Sequence, residues 1–386
     1  MKVLYIVDPG IVGGATLAFL EIVTQMKLKG VSPLVCTSTY NQLNEILKGK
    51  GIESLAIGHN TVIEPISPYK WKRPIKYPIR WIIYRIKLRR AIRTIERNID
   101  LNTIDLIHTN SARNDVGCYI NKKYQIPHIV HIREFADADF RCITFRNNFI
   151  EVFNKYSTVF ISISNAVKKH WEDKGIDSSK NLRIYDGVTF KDIRESYRDE
   201  KLKKEIKMVI SSGICLAKGQ HLILEAINTL PQEIKNNVYV DFIGWADPQY
   251  KKYMLNLIKK YSLGKQIRFT GALKNVHPIL HNYQIGLMCS RAEGFGRVTA
   301  EYMFAELGVI ASNSGANPEL IEDGKSGLLF ESGNAISLAN CITKYYNNRE
   351  LLISCSETAH KKACREYTDE KNADNIYKLY NNILSK

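Results

Sequence analysis

Short runs of β-branched and other apolar residues alternate with amphipathic stretches along this chain, and the alternation begins twice. Lys2–Asp8 reads as a buried strand, followed by a glycine loop and a helical pattern from Ala15 to Lys29. Val31–Thr37, Asp105–Thr109, His128–Ile132 and Thr158–Ser162 continue the strand series. A second series opens at Met208–Ser212 and a helix from His221 to Leu230. Val238–Gly244, Ile267–Gly271, Ile285–Ser290 and Gly308–Ser312 follow as strands. Strands separated by helical stretches pack as parallel sheets with helices on both faces, so each series predicts one α/β domain. Tyr185–Lys207, between the two, is polar, highly charged and weakly periodic. The expected domains are therefore 1–187 and 188–368. In Asp369–Leu384, Ile376, Leu379, Tyr380 and Ile383 share one helical face, which predicts a packed last helix. The face alone does not say which domain receives it; 369–386 is placed with the first.

The length of 386 residues suits two domains, each large enough to bury its own core. No stretch approaches the roughly 20 apolar residues of a membrane span, and the short apolar run of MKVLYIVDPGIVGG reads as a strand rather than a signal peptide. The eight cysteines are scattered without CxxC spacing and read as free thiols. A soluble, cytoplasmic chain is the expectation. The net charge of +16 fits nucleic acid, an anionic membrane surface or phosphorylated substrates. No helix-turn-helix, zinc-finger or aromatic ribonucleoprotein motif accompanies it, so no nucleic-acid partner is expected.

Ser290–Phe330 is the stretch that carries chemistry. After the strand ending at Cys289 come Glu293, the turn Gly294-Phe295-Gly296 and a helical pattern from Arg297. A strand, a glycine turn and a helix start present backbone N–H groups and a helix dipole to a phosphate. Glu293 and Glu301 bracket the turn. Glu293 can accept from sugar hydroxyls and Glu301 from both hydroxyls of a ribose, while the N–H groups between them hold a diphosphate. Equally, Glu301 can be a first-turn acid favouring the dipole and Glu293 a surface charge.

Seven residues separate Glu293 from Glu301, and this strand–EGFG–helix segment resembles the E-x7-E motif of family 4 glycosyltransferases, which have the GT-B fold. SGANPELIEDGKSGLLF resembles the second hallmark of that family. Met208–Ile227, ending its loop in Lys-Gly, Tyr185–Val188 (YDGV), and Gly13-Gly14-Ala15 resemble its other landmarks. The resemblance implies an α/β GT-B architecture of two Rossmann-like domains with parallel sheets facing a central cleft, the first for the acceptor and the second for a nucleotide sugar. It implies that Glu293 contacts the donor sugar, Glu301 the ribose, and Lys218 the diphosphate as it leaves. Gly14, Gly213, Gly294, Phe295, Gly296, Arg297 and Val298 would complete the donor site, with Gly315–Asn317 adding N–H donors and Glu319 in a supporting position. The family usually has an arginine just after the glycine of its Gly-Arg…Lys-Gly segment. Here Ile214 and Cys215 follow Gly213, leaving Lys218 to work with Arg297 or Arg291.

VHIREF resembles a segment of the polysaccharide-assembling branch. His131, at a strand end, would face acceptor or donor sugar as a catalytic residue, with Arg133 and Glu134 beside it; Asn110 and His108 are weaker candidates, and His131 can also be structural. Asp137-Ala138-Asp139 matches a DxD pattern, but that metal site belongs to another glycosyltransferase fold. No metal and no cofactor beyond the nucleotide-sugar co-substrate is expected.

Tyr69–Arg97 sets eleven lysines and arginines against Glu96, with Trp81, Tyr84, Leu88, Ala91, Ile92 and Ile95 on one helical face. The segment suits docking on an anionic membrane or a phosphate-linked lipid acceptor. It also suits a Rossmann helix with a solvated outer face, and both can hold. The function implied is a retaining, metal-independent transferase of hexosyl or N-acetylhexosaminyl groups. It would move them from a UDP- or GDP-sugar to a glycan or lipid-linked acceptor in cell-surface polysaccharide (capsule) or glycolipid synthesis. The alternative is a catalytically weak partner subunit that binds a sugar nucleotide or stabilises an active enzyme.

Overall fold

The computed structural model describes residues 1–8, 13–65, 73–137, 142–144, 146, 148–190 and 204–385, the side chains of 64, 65 and 73–75 excepted. The chain divides into two compact units, Met1–Gly187 with Asp369–Lys386, and Val188–Thr368. Most of the charged junction expected from the sequence, 191–203, lies outside the described residues.

Among the described residues unit 1 has nine strands: β1 Lys2–Val7, β2 Ser32–Thr37, β3 Glu53–Ala56, β4 Ile63–Pro65, β5 Leu106–Thr109, β6 His128–Ile132, β7 Cys142–Thr144, β8 Val159–Ser162 and β9 Asn181–Arg183. Seven form one parallel sheet in the order β3-β2-β1-β5-β6-β8-β9, and β4 pairs antiparallel with β7. Val3–Ile6 and Leu106–Thr109 are almost completely buried, as strands covered by helices on both faces must be. The strand order reverses between β1 and β5, so the loops after those two strands diverge and leave a crevice at their C-terminal ends.

The last helix, Asp369–Leu384, packs on this unit. Ile376, Leu379 and Tyr380 join Phe19, Val23 and Met26 of the helix Gly14–Leu28 in one apolar cluster. Gln25 donates to the Asp369 carboxylate at 3.0 Å, and Lys29 pairs with Asp374 at 2.5 Å.

Unit 2 repeats the design with β10 Ile206–Ser211, β11 Val238–Ile243, β12 Ile267–Gly271, β13 Ile285–Met288, β14 Gly308–Ser312 and β15 Leu328–Phe330. All are parallel, in the order β12-β11-β10-β13-β14-β15, and the reversal falls between β10 and β13. Ile206, Met208, Val240, Phe242, Leu287 and Ile310 fill its core. Among the described residues no helix is long and apolar enough to cross a membrane.

The structure corrects one detail of the basic segment. Tyr84, Leu88, Ala91 and Ile95 are buried as their spacing predicts, whereas Trp81 is 38% exposed. Trp81 shares the helical face of Tyr84 and Leu88 but lies nearer the start of the helix, where it is left partly open and Arg85 lies over its ring at 5.1 Å.

The last helix supplies a test of how the first unit is held together. Ile376 is fully buried, so Ile376→Ala should cost about 2–4 kcal/mol of unfolding free energy through lost burial and a residual cavity. Denaturant titration measures this; a cost near zero would mean that the helix does not belong to the core.

Candidate functional site

In unit 2 the two loops that leave β10 and β13 on either side of the reversal converge. From β10 the chain runs through Gly213 to a short turn, Leu216–Lys218, and into the helix His221–Thr229. From β13 it runs through Glu293 and the Gly294-Phe295-Gly296 turn into the helix Arg297–Phe304. Lys218 Nζ and Glu293 Oε2 meet at 2.9 Å, with the lysine side chain 31% exposed. Two cation- and anion-bearing loops thus close on the crevice where open α/β sheets hold ligands.

The turn is held from behind. Gly315 has φ +57°, and a Cβ there would stand 2.4 Å from the Glu293 carbonyl oxygen. Only glycine lets the following loop approach so closely. Ala316 donates its N–H to that same oxygen at 2.8 Å. Ser312 and Ser314 both donate to the Ser290 carbonyl, at 2.7 and 3.0 Å. Gly219, at φ +68°, lies against the Cys289 carbonyl in the same manner. Phe295 is buried with its ring edge on Tyr367. Gly296 caps the helix in the left-handed region with φ 91°, which leaves the first-turn N–H groups without carbonyl partners inside the helix. Glu301 lies just over one turn along, its Oε1 3.8 Å from His277 Nε2. The His277 ring lies 4.6 Å from that of Phe190.

Lys218, Glu293, Phe295, Gly296 and Glu301 are thus brought to one end of one sheet. Gly213 is exposed on the β10 side, Arg297 and Val298 are half-buried at the helix start, and Glu319 is half-buried in the adjoining short helix Asn317–Leu320. Ile214 is buried in the unit's core, 1% exposed, its backbone paired with Trp245 and Asp247. The family's arginine position is therefore filled by packing. His277 and Phe190 went unrecognised in the sequence because they are 24 and 111 residues before Glu301, outside any motif.

In unit 1 the residues at the ends of β5 and β6 form a buried polar chain. Tyr380 of the last helix contacts His108 Nδ1, and His108 Nε2 lies 3.2 Å from His131 Nδ1. Arg133 donates to His131 Nδ1 at 3.4 Å, to Asn110 Oδ1 at 2.9 Å and to Asp186 Oδ1 at 2.5 Å. His131 has no exposed surface, and among the described residues its Nε2 has no hydrogen-bond partner, with Asp186 at 4.0 Å. Glu134 accepts from the Ser111 hydroxyl at 2.8 Å. His131, Arg133, Glu134 and Asn110 are thus together but all buried, and Asp186, read in the sequence only as part of a turn, is the carboxylate that neutralises Arg133. Gly14 starts the helix Gly14–Leu28 at an exposed position. Of the DxD pattern, Asp137 is engaged by His170 at 2.8 Å and by Lys174, while Ala138 and Asp139 lie outside the described residues.

Two families match the chain in tandem: Glycosyltransferase Family 4 over residues 12–191 and Glycosyl transferases group 1 over 192–362. An uncharacterized glycosyltransferase of Methanocaldococcus jannaschii is 27% identical over 84% of this chain and 86% of that protein. The O-antigen biosynthesis glycosyltransferase WclY of Escherichia coli is 25% identical over 74% of this chain and 81% of its own. In three dimensions, Anabaena HepE in complex with UDP superposes with a TM-score of 0.80 over 99% of this chain and 100% of that one, at 19% identity. The fold is GT-B.

The turn and the buried chain each yield a test. Gly315→Ala forces the Glu293 backbone to move and should cost about 1–3 kcal/mol, read as a shift in the denaturation midpoint. An unshifted midpoint would mean that the two loops are not locked together. In unit 1, burial pushes His108 down to about 3 and His128 down to about 4, and holds His131 well below its usual range. The unfolded chain binds protons at these histidines near pH 6.5, so the native state carries fewer. Their contribution is full above about pH 6.5 and is lost as the pH falls toward 4, by up to about 1.4 kcal/mol per pH unit for each histidine. Unfolding free energies at neutral pH and near pH 5 check the slope.

Proposed function

We propose, for a chain that belongs to the family 4 glycosyltransferases, that unit 188–368 binds a nucleoside diphosphate sugar at the Lys218–Glu293–Glu301 cluster and transfers its sugar with retention of anomeric configuration. The observation that carries this reading is the Lys218–Glu293 contact at the strand-order reversal, beside the start of a helix that bears Glu301. The diphosphate takes Lys218 and the first-turn N–H groups, which frees the Glu293 carboxylate to accept from sugar hydroxyls. Glu301, steadied by His277, accepts from the ribose. As the anomeric carbon–oxygen bond breaks, its electron pair stays on the diphosphate, where Lys218 and the helix start stabilise it. The acceptor hydroxyl attacks on the face the diphosphate leaves and gives its proton to the departing phosphate oxygen. Arg297 or Arg291 supplies the second cation, no metal is used, and fully buried His131 positions Arg133 and Asp186.

The donor is a UDP- or GDP-sugar of the hexosyl or N-acetylhexosaminyl class. UDP is tried first because the Anabaena neighbour holds it. The acceptor is a glycan or lipid-linked glycan of cell-surface polysaccharide synthesis, the class to which the O-antigen relative is assigned. Peripheral contact with an anionic membrane through 69–97 belongs to the same reading.

Calorimetric titration with UDP, GDP, ADP and their sugar conjugates, with and without a divalent ion, tests the donor site. One nucleotide should bind without metal, and Glu301→Ala should weaken it by about ten- to a hundredfold through loss of charged hydrogen bonds. Failure of every nucleotide to bind a folded sample, or an unchanged affinity in the variant, would sink the assignment. With donor and acceptor identified, Lys218→Ala should lower kcat by about a hundred- to a thousandfold with a smaller change in KM. The anomeric configuration of the product, read by NMR coupling constants, decides retention.

A further inference from the structure

The helix Arg73–Asn98 carries two apolar stripes, and among the described residues only one of them is packed into the fold. Tyr84, Leu88, Ala91 and Ile95 face the unit's interior and are at most 4% exposed. On the opposite side, Ile79, Ile82, Ile83 and Ile86 recur at the three- and four-residue spacing of a single helical face. These are 43–54% exposed. The same outward face continues toward the C-terminus as Arg90, Arg93 and Arg97, all exposed. Isoleucine is a middling helix former on a solvated surface, so its fourfold recurrence on the water side has no explanation in local structure. Glu96, the single acid of the helix, is held by Lys123 at 2.6 Å and by Tyr124.

We propose that this outward face docks on the surface of an anionic phospholipid bilayer, with the four isoleucines entering the headgroup–acyl boundary and the arginines lying on the lipid phosphates. An apolar first half and a cationic second half on one face are what an interfacial helix needs. A groove of about 770 Å³ opens beside the stripe, walled by Trp81, Ile82, Tyr119, Arg85 and Arg146. It sets the Arg85 guanidinium beside an aromatic–aliphatic surface, with Arg146 held at its far wall by Asp115 and Tyr119, which suits one lipid headgroup and the start of its chain. A second copy of the chain fits less well, because a parallel two-fold pairing through this face would set each arginine row against its own image, and a fully overlapping antiparallel one would lay arginines on isoleucines. Nucleic acid would meet the arginines but leave the isoleucines without a partner.

The inference deepens the transferase reading by naming the surface at which a lipid-linked acceptor would be met. Its test contains neither donor nor acceptor, so its failure removes the membrane contact alone and leaves donor binding and sugar transfer standing, and their failure leaves it standing. The full chain is sedimented with vesicles of phosphatidylcholine alone and with vesicles containing phosphatidylglycerol as a third of their lipid. Binding is expected to the anionic vesicles and to fall as salt is raised. The double variant Ile82→Asp, Ile86→Asp should weaken it at least about tenfold, with an unchanged melting curve because both side chains are exposed. Arg90→Gln with Arg93→Gln should weaken binding and flatten its salt dependence. No binding of the native chain to anionic vesicles overturns the proposal, as does binding that the aspartate variant leaves unchanged. Self-association without vesicles that the aspartates abolish would overturn it in favour of a second copy.

Discussion

Lys218 and Glu293 meet because the strand order of their sheet reverses between β10 and β13, and the rest of the site is arranged to keep that meeting open to a ligand. At any other pair of neighbouring strands the following helices lie on one face and their loops run side by side; at a reversal they part. In the donor site we propose, a diphosphate replaces one side of that pairing: lysine exchanges a carboxylate for phosphate oxygens, and the carboxylate is released toward whatever the phosphate carries. The surroundings fix the backbone rather than the two side chains. Gly315 presses on the Glu293 peptide, two serines hold the Ser290 carbonyl, and Tyr302 accepts the Ser211 N–H at 2.7 Å, tying the helix after β13 back to β10. Lys362, half-buried and lowered in pKa by that burial, donates to the carbonyls of Glu319 and Leu320 and so anchors the far side of the same loop.

Unit 1 has the same reversal of strand order and the opposite disposition of charge. Its reversal lies between β1 and β5, yet the charged groups at the ends of β5 and β6 are buried and spent on one another. Arg133 is neutralised by Asp186 and caged by Asn110 and His131. A buried arginine that lost its carboxylate would leave an uncompensated charge. One half therefore carries a pair that a ligand can open and the other a network that sets the shape of its sheet end.

Much of this is legible in the residues. The central strands announce themselves because burial on both faces demands unbroken apolar runs such as Val3–Val7 and Met208–Ile210, and the spacing of Glu293 and Glu301 picks out the helix start between them. Edge strands are harder: Glu53–Ala56 and Asn181–Arg183 carry polar residues because one side of each is open, so they leave no run to read. The Lys218–Glu293 contact joins positions 75 residues apart and follows from topology, not spacing. In the helix Arg73–Asn98, two stripes on opposite sides blur each other's periodicity, and a reading that follows the stripe of Tyr84 and Leu88 passes over the isoleucines. Ile214 breaks a motif in the sequence, and the fold supplies the reason, since its side chain completes a core.

The placement of the last helix has a consequence in time. Residues 369–384 emerge from the ribosome only after the whole of 188–368, yet their side chains close the apolar cluster begun by Phe19 and Val23, and Tyr380 reaches His108 in the central sheet. The first unit to begin synthesis is therefore the last to be finished. The nascent chain must carry an uncovered sheet face through the production of an entire second domain, so a stalled or prematurely terminated chain would present that face to chaperones and proteases while 188–368 is already able to fold.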